Sequence, residues 1–117
     1  MNKEKKLIPG LPSGFEDRWD KKLLLKKKLL KAIENNFIKF GAEALETPSF
    51  EISENIGSFL AEDDANPMSD VFSFQDGEKS ITLRYDLSSP LARFVAQNNQ
   101  ELPLIFKRYA IQNVFRN

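Results

Sequence analysis

The chain has 117 residues, 41% of them apolar, a size that fits one compact domain. It contains no Cys and no His, which excludes disulfides and thiol nucleophiles and removes the usual general base of a Ser or Cys hydrolase. The formal net charge is zero, with basic residues in excess in the first and last thirds and acidic residues in the middle. No apolar run reaches the ~18 residues that span a bilayer, and no secretory signal is recognisable, so we expect a cytoplasmic protein.

The first third predicts an extended arm followed by a long amphipathic helix. Two prolines and a glycine exclude a helix from residues 1–12. Ser13 and Glu16 fit a capping box at the helix start, and Gly41 supplies the helix end after Phe40. Apolar residues recur at helical intervals along one predicted face: Trp19, Leu23, Leu30, Ile33, Phe37 and Phe40.

The middle of the chain predicts short elements separated by turns. Ala42 to Glu46 is typical of a strand, which Thr47-Pro48 ends. Residues 50–60 favour a short helix, and residues 61–70 a polar acidic loop.

The last part predicts a hairpin, a helix and a strand. Asp76-Gly77 between two β-prone runs indicates a hairpin turn. Ser88 or Ser89 is suited to cap the next helix, with Pro90 in its first turn. A final strand is expected over residues 104–116. The order of helices and strands favours an α+β fold with an antiparallel or mixed sheet.

Two strand-like segments concentrate polar residues on one predicted face each. They are Arg84, Asp86 and Ser88 in the first segment and Arg108, Gln112 and Arg116 in the second. A strand face that carries two arginines suits an anionic ligand, because the planar guanidinium grips phosphate through paired donors. A solvated face of a half-exposed sheet explains the same pattern.

Three motifs resemble a known family. LETPSFE after a long helix resembles the first signature motif of class II aminoacyl-tRNA synthetases. LRYDLSSPLARFVAQN followed by FKRYAIQNVFRN resembles histidyl-tRNA synthetase specifically, and the LPSGFED arm is similar to that family's segment before its first long helix. The resemblance runs from about Pro9 to Asn117. It places the first motif at about 30–51 and the start of the second motif at about 106–117.

The resemblance implies part of a class II catalytic domain and a histidine–tRNA ligase activity, in which histidine is activated with ATP and transferred to tRNA(His). It implies Mg²⁺ as well as ATP, no resident metal ligand in this chain, and a homodimer with Phe37, Phe40 and Pro48 at the interface. Because adenylation depends on positioning and charge stabilisation, the lack of His and Cys is compatible with it.

The resemblance also assigns individual residues. Asp86-Leu87-Ser88 matches the family's Asp-Leu-Thr substrate segment, in which Asp86 would accept hydrogen bonds from the substrate ammonium. Ser88 stands where the family has Thr and keeps the hydroxyl. Arg116 matches the first Arg of the second motif and would serve as a catalytic and substrate-binding residue that bridges the α-phosphate and the carboxylate.

Two other functions are compatible with the sequence. One is the regulatory subunit of ATP phosphoribosyltransferase, a synthetase paralogue in histidine biosynthesis that charges no tRNA. The other is a non-catalytic dimerisation or RNA-binding module built on the Lys-rich helix. Under the synthetase interpretation we expect a truncated fragment that stops within the second motif and is inactive alone.

Overall fold

The computed structural model describes residues 4–60 and 71–116, which form an α+β structure. They belong to two compact units, Met1–Ile33 and Glu34–Asn117. The predicted fold class is confirmed. The elements in chain order are helix α1 (Asp20–Lys39), strands β1 (Glu43–Ala44) and β2 (Phe50–Ile52), helix α2 (Ser53–Leu60), strands β3 (Ser73–Asp76) and β4 (Lys79–Leu83), helix α3 (Ser88–Asn98) and strand β5 (Arg108–Tyr109).

Helix α1 begins later than the capping box predicts. Residues 13–14 form a turn, in which the Phe15 amide donates to the Pro12 carbonyl at 3.2 Å, and the helix starts at Asp20. The prediction that Ser13 and Glu16 cap the helix is therefore wrong. Gly14 has a φ of 83°, a left-handed conformation that interrupts a helix at this point.

The predicted end of α1 at Gly41 is confirmed. Gly41 has a φ of 80°. Its amide donates to the Ile38 carbonyl at 3.0 Å, and the Ala42 amide donates to the Phe37 carbonyl at 3.1 Å. This pair of hydrogen bonds is the Schellman arrangement, which satisfies the last carbonyls of a helix and requires a left-handed residue at the glycine position.

The strands form two separate small sheets. Strand β1 pairs in parallel with β5, and β2 and β3 pair antiparallel with either side of β4. The strand predicted over residues 104–116 is wrong in extent, because only Arg108–Tyr109 pairs as a strand. The strand predicted over residues 42–46 shortens in the same way to Glu43–Ala44. Residues 50–52 pair with β4 as a strand, so the helix predicted over residues 50–60 is wrong for its first three residues.

The hairpin and the last helix follow the sequence closely. Gly77, with a φ of 63°, is the first residue of a two-residue loop between β3 and β4, a position at which a left-handed conformation matches the twist of the paired strands. Helix α3 carries a buried Pro90 in its first turn and ends at Asn98, as predicted. The predicted acidic loop, residues 61–70, lies outside the described residues.

The antiparallel sheet has a polar face under the helices and an apolar face that is exposed. On the polar face Thr82 is 2% exposed, and its hydroxyl contacts those of Ser53 at 2.6 Å and Ser73 at 2.9 Å. On the apolar face the Phe50 and Phe74 rings meet edge to face at 5.4 Å while both side chains stay largely exposed. Buried polar groups of this kind need partners, so hydrogen bonds specify how the helices pack on the sheet.

Helix α3 is attached to the sheet by a buried ion pair. Arg93 of α3 donates from Nε and Nη2 to the two carboxylate oxygens of Glu51 on β2, at 2.9 and 3.0 Å. The Glu51 side chain is 4% exposed. This bidentate geometry is the strongest form of an Arg–carboxylate contact and fixes the helix that carries the candidate site at its N-terminus.

Across residues 4–60 and 71–116, none of the helices combines the length and apolar character needed to cross a membrane.

Candidate functional site

The segment between β4 and α3 holds the candidate substrate residues. The Asp86 carboxylate accepts from the Ser89 amide at 3.2 Å and from the Ser89 hydroxyl at 3.3 Å, so Asp86 anchors the start of α3. The prediction that Ser88 or Ser89 caps this helix is wrong: Leu87 occupies the N-cap position without a side-chain hydrogen bond. Asp86 is half-buried and Ser88 is exposed. Each Asp86 oxygen retains a further acceptor position, so this carboxylate can also receive a ligand cation.

The end of the chain lies against this segment. The Phe115 amide donates to the Arg84 carbonyl at 2.9 Å, and Arg116 Nε donates to the Tyr85 carbonyl at 2.9 Å. The Arg116 guanidinium is therefore held at the peptide that precedes Asp86. Its terminal nitrogens make no hydrogen bond to any residue within the described ranges, and the residue is exposed. A guanidinium that is fixed through Nε can still donate hydrogen bonds to an anion through its two Nη groups.

Arg108 supports the same segment from β5. Its Nη2 donates to the Leu87 carbonyl at 2.9 Å. Gln112 donates through Nε2 to the Thr47 carbonyl at 2.9 Å and accepts the Thr47 amide at 3.3 Å through Oε1. Both side chains thus bind protein backbone. The prediction that Arg108, Gln112 and Arg116 share one strand face is wrong, because the strand ends at Tyr109. Arg108 and Arg116 each use one guanidinium nitrogen on a backbone carbonyl, and Arg116 is the more exposed of the two.

Arg84 has a position that sequence reasoning missed. It is 4% exposed, and its Nε donates to the Asn113 carbonyl at 2.7 Å while Nη1 donates to the Thr47 carbonyl at 2.8 Å. The prediction that Arg84 shares a strand face with Asp86 and Ser88 is wrong, because β4 ends at Leu83 and Ser88 is the first residue of α3. The available signal was its even-numbered parity with Thr82, whose side chain is on the buried polar face.

The residues predicted at a dimer interface are all exposed. The Phe37 ring stacks on that of Tyr109, with centroids 5.6 Å apart, and remains 42% exposed. Phe40 is 78% exposed, and Pro48 is exposed as well. Two exposed aromatic rings and an exposed proline are compatible with a partner surface, and the homodimer stays a prediction.

Of the ligands that the resemblance implies, the described residues suit a nucleotide phosphate better than Mg²⁺. Within the described ranges no cluster of three or more Asp and Glu side chains is arranged to hold a metal ion, so we assign no Mg²⁺ ligand among those residues. A nucleotide phosphate fits better, because the exposed nitrogens of Arg116 are suitable donors for it.

Known proteins similar to the chain are histidine–tRNA ligases. It is 82% identical over 117 residues to the histidine–tRNA ligase of Pelagibacter ubique, all of this chain and 25% of that protein. It is 44% identical over 108 residues to that of Methylocella silvestris, 92% of this chain and 21% of that protein. No family model matches. The chain thus spans about a quarter of the length of the curated relatives it matches.

Solved structures give the same result for the fold. A Bacillus halodurans protein described as an ATP phosphoribosyltransferase regulatory subunit/histidyl-tRNA synthetase superposes with a TM-score of 0.80 at 25% identity, over 96% of this chain and 29% of that one. The histidyl-tRNA synthetase of Nostoc sp. PCC 7120 gives 0.77 at 25% identity, over 92% of this chain and 25% of that one.

Proposed function

The chain belongs to the histidyl-tRNA synthetase family, and on that premise we propose that it supplies part of the active site of a histidine–tRNA ligase. This enzyme activates histidine with ATP and transfers it to tRNA(His). The observation that carries the proposal is the contact between the Arg116 guanidinium and the Tyr85 carbonyl. That contact holds a guanidinium at the peptide that precedes Asp86, and in this proposal one zwitterionic amino acid contacts both side chains.

Asp86 binds the amino group of the substrate in this proposal. Its carboxylate is half-buried and already oriented by two hydrogen bonds from Ser89, so little conformational freedom is lost when an ammonium group binds. The exposed Ser88 hydroxyl contributes a further polar contact. The Arg108 guanidinium fixes the intervening peptide through the Leu87 carbonyl, which keeps Asp86 and Ser88 in one orientation.

Arg116 acts on the reacting groups. The histidine carboxylate attacks the α-phosphorus of ATP in line, a histidyl adenylate forms, and pyrophosphate leaves. Negative charge builds on the α-phosphate oxygens in the transition state, and Arg116 Nη donors placed at these oxygens stabilise it. The same guanidinium orients the attacking carboxylate, which lowers the entropic part of the barrier.

The remaining partners follow from the same proposal. ATP and histidine are the small substrates, tRNA(His) accepts the histidyl group, and Mg²⁺ accompanies ATP. The enzyme works as a cytoplasmic homodimer, with Phe37, Phe40 and Pro48 at the interface.

A chimeric ligase tests the function directly. The matching segment of the Pelagibacter ubique enzyme is replaced by this chain, and ATP–pyrophosphate exchange is measured with each amino acid. We expect exchange with histidine alone. Arg116→Lys should lower the exchange rate by about a hundredfold or more. The lysine keeps the positive charge but lacks the paired guanidinium donors, and removal of an oriented transition-state donor has an effect of that size. Arg18→Lys, in an exposed ion pair with Glu16, is the matched control and should leave the rate unchanged.

A regulatory subunit is the second candidate, because the Bacillus halodurans structure carries that description as well. Such a protein charges no tRNA. A chimera that folds and dimerises but gives no histidine-dependent exchange would favour this candidate.

A further inference from the structure

Arg84 connects three segments of the second unit. Its side chain reaches the Thr47 and Asn113 carbonyls. Its own amide donates to the Ser49 carbonyl at 3.0 Å, and its own carbonyl accepts the Phe115 amide at 2.9 Å. Side chain and backbone together therefore hold the segment before β2, the end of β4 and the segment that leads to Arg116.

The two hydrogen bonds to the last segment fix its register. Residue 84 binds residue 115 through its backbone and residue 113 through its side chain. A segment held at two places, two residues apart, cannot slide or rotate without breaking one of the hydrogen bonds. Arg116 comes directly after this stretch, so the hydrogen bonds of residues 113 and 115 also set the position of the Arg116 guanidinium.

We propose that Arg84 is a positioning residue for adenylate formation, which acts by setting the place of the Arg116 guanidinium. This inference rests on the role proposed for Arg116 above. Arg84 itself is buried and needs no contact with substrate. Asp86 has a separate anchor in Ser89, so the effect of Arg84 is concentrated on the phosphate side of the reaction.

A guanidinium is the side chain that this position requires. Nε and Nη1 reach two carbonyls of different segments at once, which needs donors at fixed angles on one rigid plane. A lysine ammonium at the same place would satisfy one carbonyl well and the other poorly. Without Arg84 the Thr47 carbonyl still accepts from Gln112, so the hydrogen bond to the Asn113 carbonyl is the one whose removal has the greater consequence.

The chimeric ligase provides the test. Arg84→Lys and Arg84→Gln are compared with the parent, and rates are expressed per active site, counted by the burst of adenylate formed in a single turnover. A misplacement of about 1 Å at a catalytic group can cost about a hundredfold. We therefore expect kcat for exchange to fall about a hundredfold in both variants, while KM for histidine and for ATP changes less than about threefold.

A double-variant cycle separates positioning from simple destabilisation. If Arg84 acts through Arg116, then Arg84→Lys should lower kcat less than about threefold when Arg116→Lys is already present, because coupled residues are not additive. Arg18→Lys is the control: Arg18 lies in an exposed ion pair of the first unit, and its replacement should leave kcat per active site unchanged.

Three results would overturn the positioning role. They are unchanged kcat per site in the Arg84 variants, losses that multiply with that of Arg116→Lys, and disappearance of countable sites in both variants. A chimera with native Arg84 that shows no histidine-dependent exchange would instead contradict the proposed function itself.

Discussion

Breaking the Glu51–Arg93 ion pair should destabilise the attachment of α3 to the sheet. Glu51→Gln keeps the shape of the side chain but removes the charge that Arg93 faces through two hydrogen bonds. Removal of one partner of a buried pair typically costs about 3–5 kcal/mol. The Arg93 side chain is 21% exposed and can recover some hydration, so we expect about 3 kcal/mol, the lower end of that range.

Amide hydrogen exchange in the chimeric ligase measures this loss locally. The free energy of opening is read at the protected amides of β2 and α3, and a loss of about 3 kcal/mol appears as exchange roughly a hundredfold faster. Glu54→Gln is the matched control, because Glu54 is an exposed glutamate on α2, and it should change the opening free energy by less than about 0.5 kcal/mol.

A second variant tests whether the unpaired charge of Arg93 causes the loss of opening free energy. Replacement of both partners, Glu51→Met with Arg93→Leu, leaves no buried charge unpaired and should bring the opening free energy back to within about 1 kcal/mol of the parent. The reasoning is refuted if Glu51→Gln exchanges at the parent rate, or if the double variant is less stable than the single one.

Two further predictions concern the ends of the first helix. The pKa of the Glu16 carboxyl is held below its ordinary value by the hydrogen bond and charge of the Lys22 ammonium and by the charge of Arg18. The contribution of this contact to stability is therefore complete above the ordinary glutamate pKa and is lost as the pH falls through the lowered pKa. A carboxyl NMR titration that gives an ordinary or raised pKa for Glu16 would contradict this. Gly41→Ala should lower the free energy of unfolding by about 1–2 kcal/mol. The cause is the left-handed φ, which opposes a side chain, and not a clash, because a Cβ would meet no atom within 4 Å. Asn tolerates this conformation, so thermal unfolding should show a smaller loss of stability for Gly41→Asn, and equal losses would argue against a backbone cause.

Local signals were sufficient where one residue determines the backbone. Gly41 ends α1 and Gly77 turns the hairpin because each supplies a left-handed conformation that few other residues adopt. Pro90 predicted the first turn of α3 for a similar reason, since its missing amide costs nothing there. The fold class followed from the order of these elements.

Long-range contacts decided the elements that the sequence placed wrongly. Residues 50–52 are a strand because Phe50 and Ile52 pair with Leu83 and Ile81, a pairing that no local pattern reveals. The strand expected over residues 104–116 shortens because only Arg108–Tyr109 finds a partner, in β1. Strand formation depends on such neighbours more than on intrinsic preference.

The candidate site shows the same division. Spacing and motif resemblance selected Asp86 and Arg116, and the structure holds Arg116 at the peptide next to Asp86. Strand parity grouped Arg108 and Gln112 with Arg116 and did not indicate that both would bind backbone, because parity applies only while the segment remains a strand. Arg84 was hidden for the opposite reason: arginines are rarely buried, and its carbonyl partners lie 37 and 29 residues away.

The most direct measurement of the central claim is histidine-dependent ATP–pyrophosphate exchange by the chimeric ligase, with and without Arg116→Lys. We expect exchange by the parent chimera with histidine and with no other amino acid, and a loss of about a hundredfold or more in the variant. Exchange at the parent rate in the variant, or a folded parent chimera that catalyses none, would contradict it.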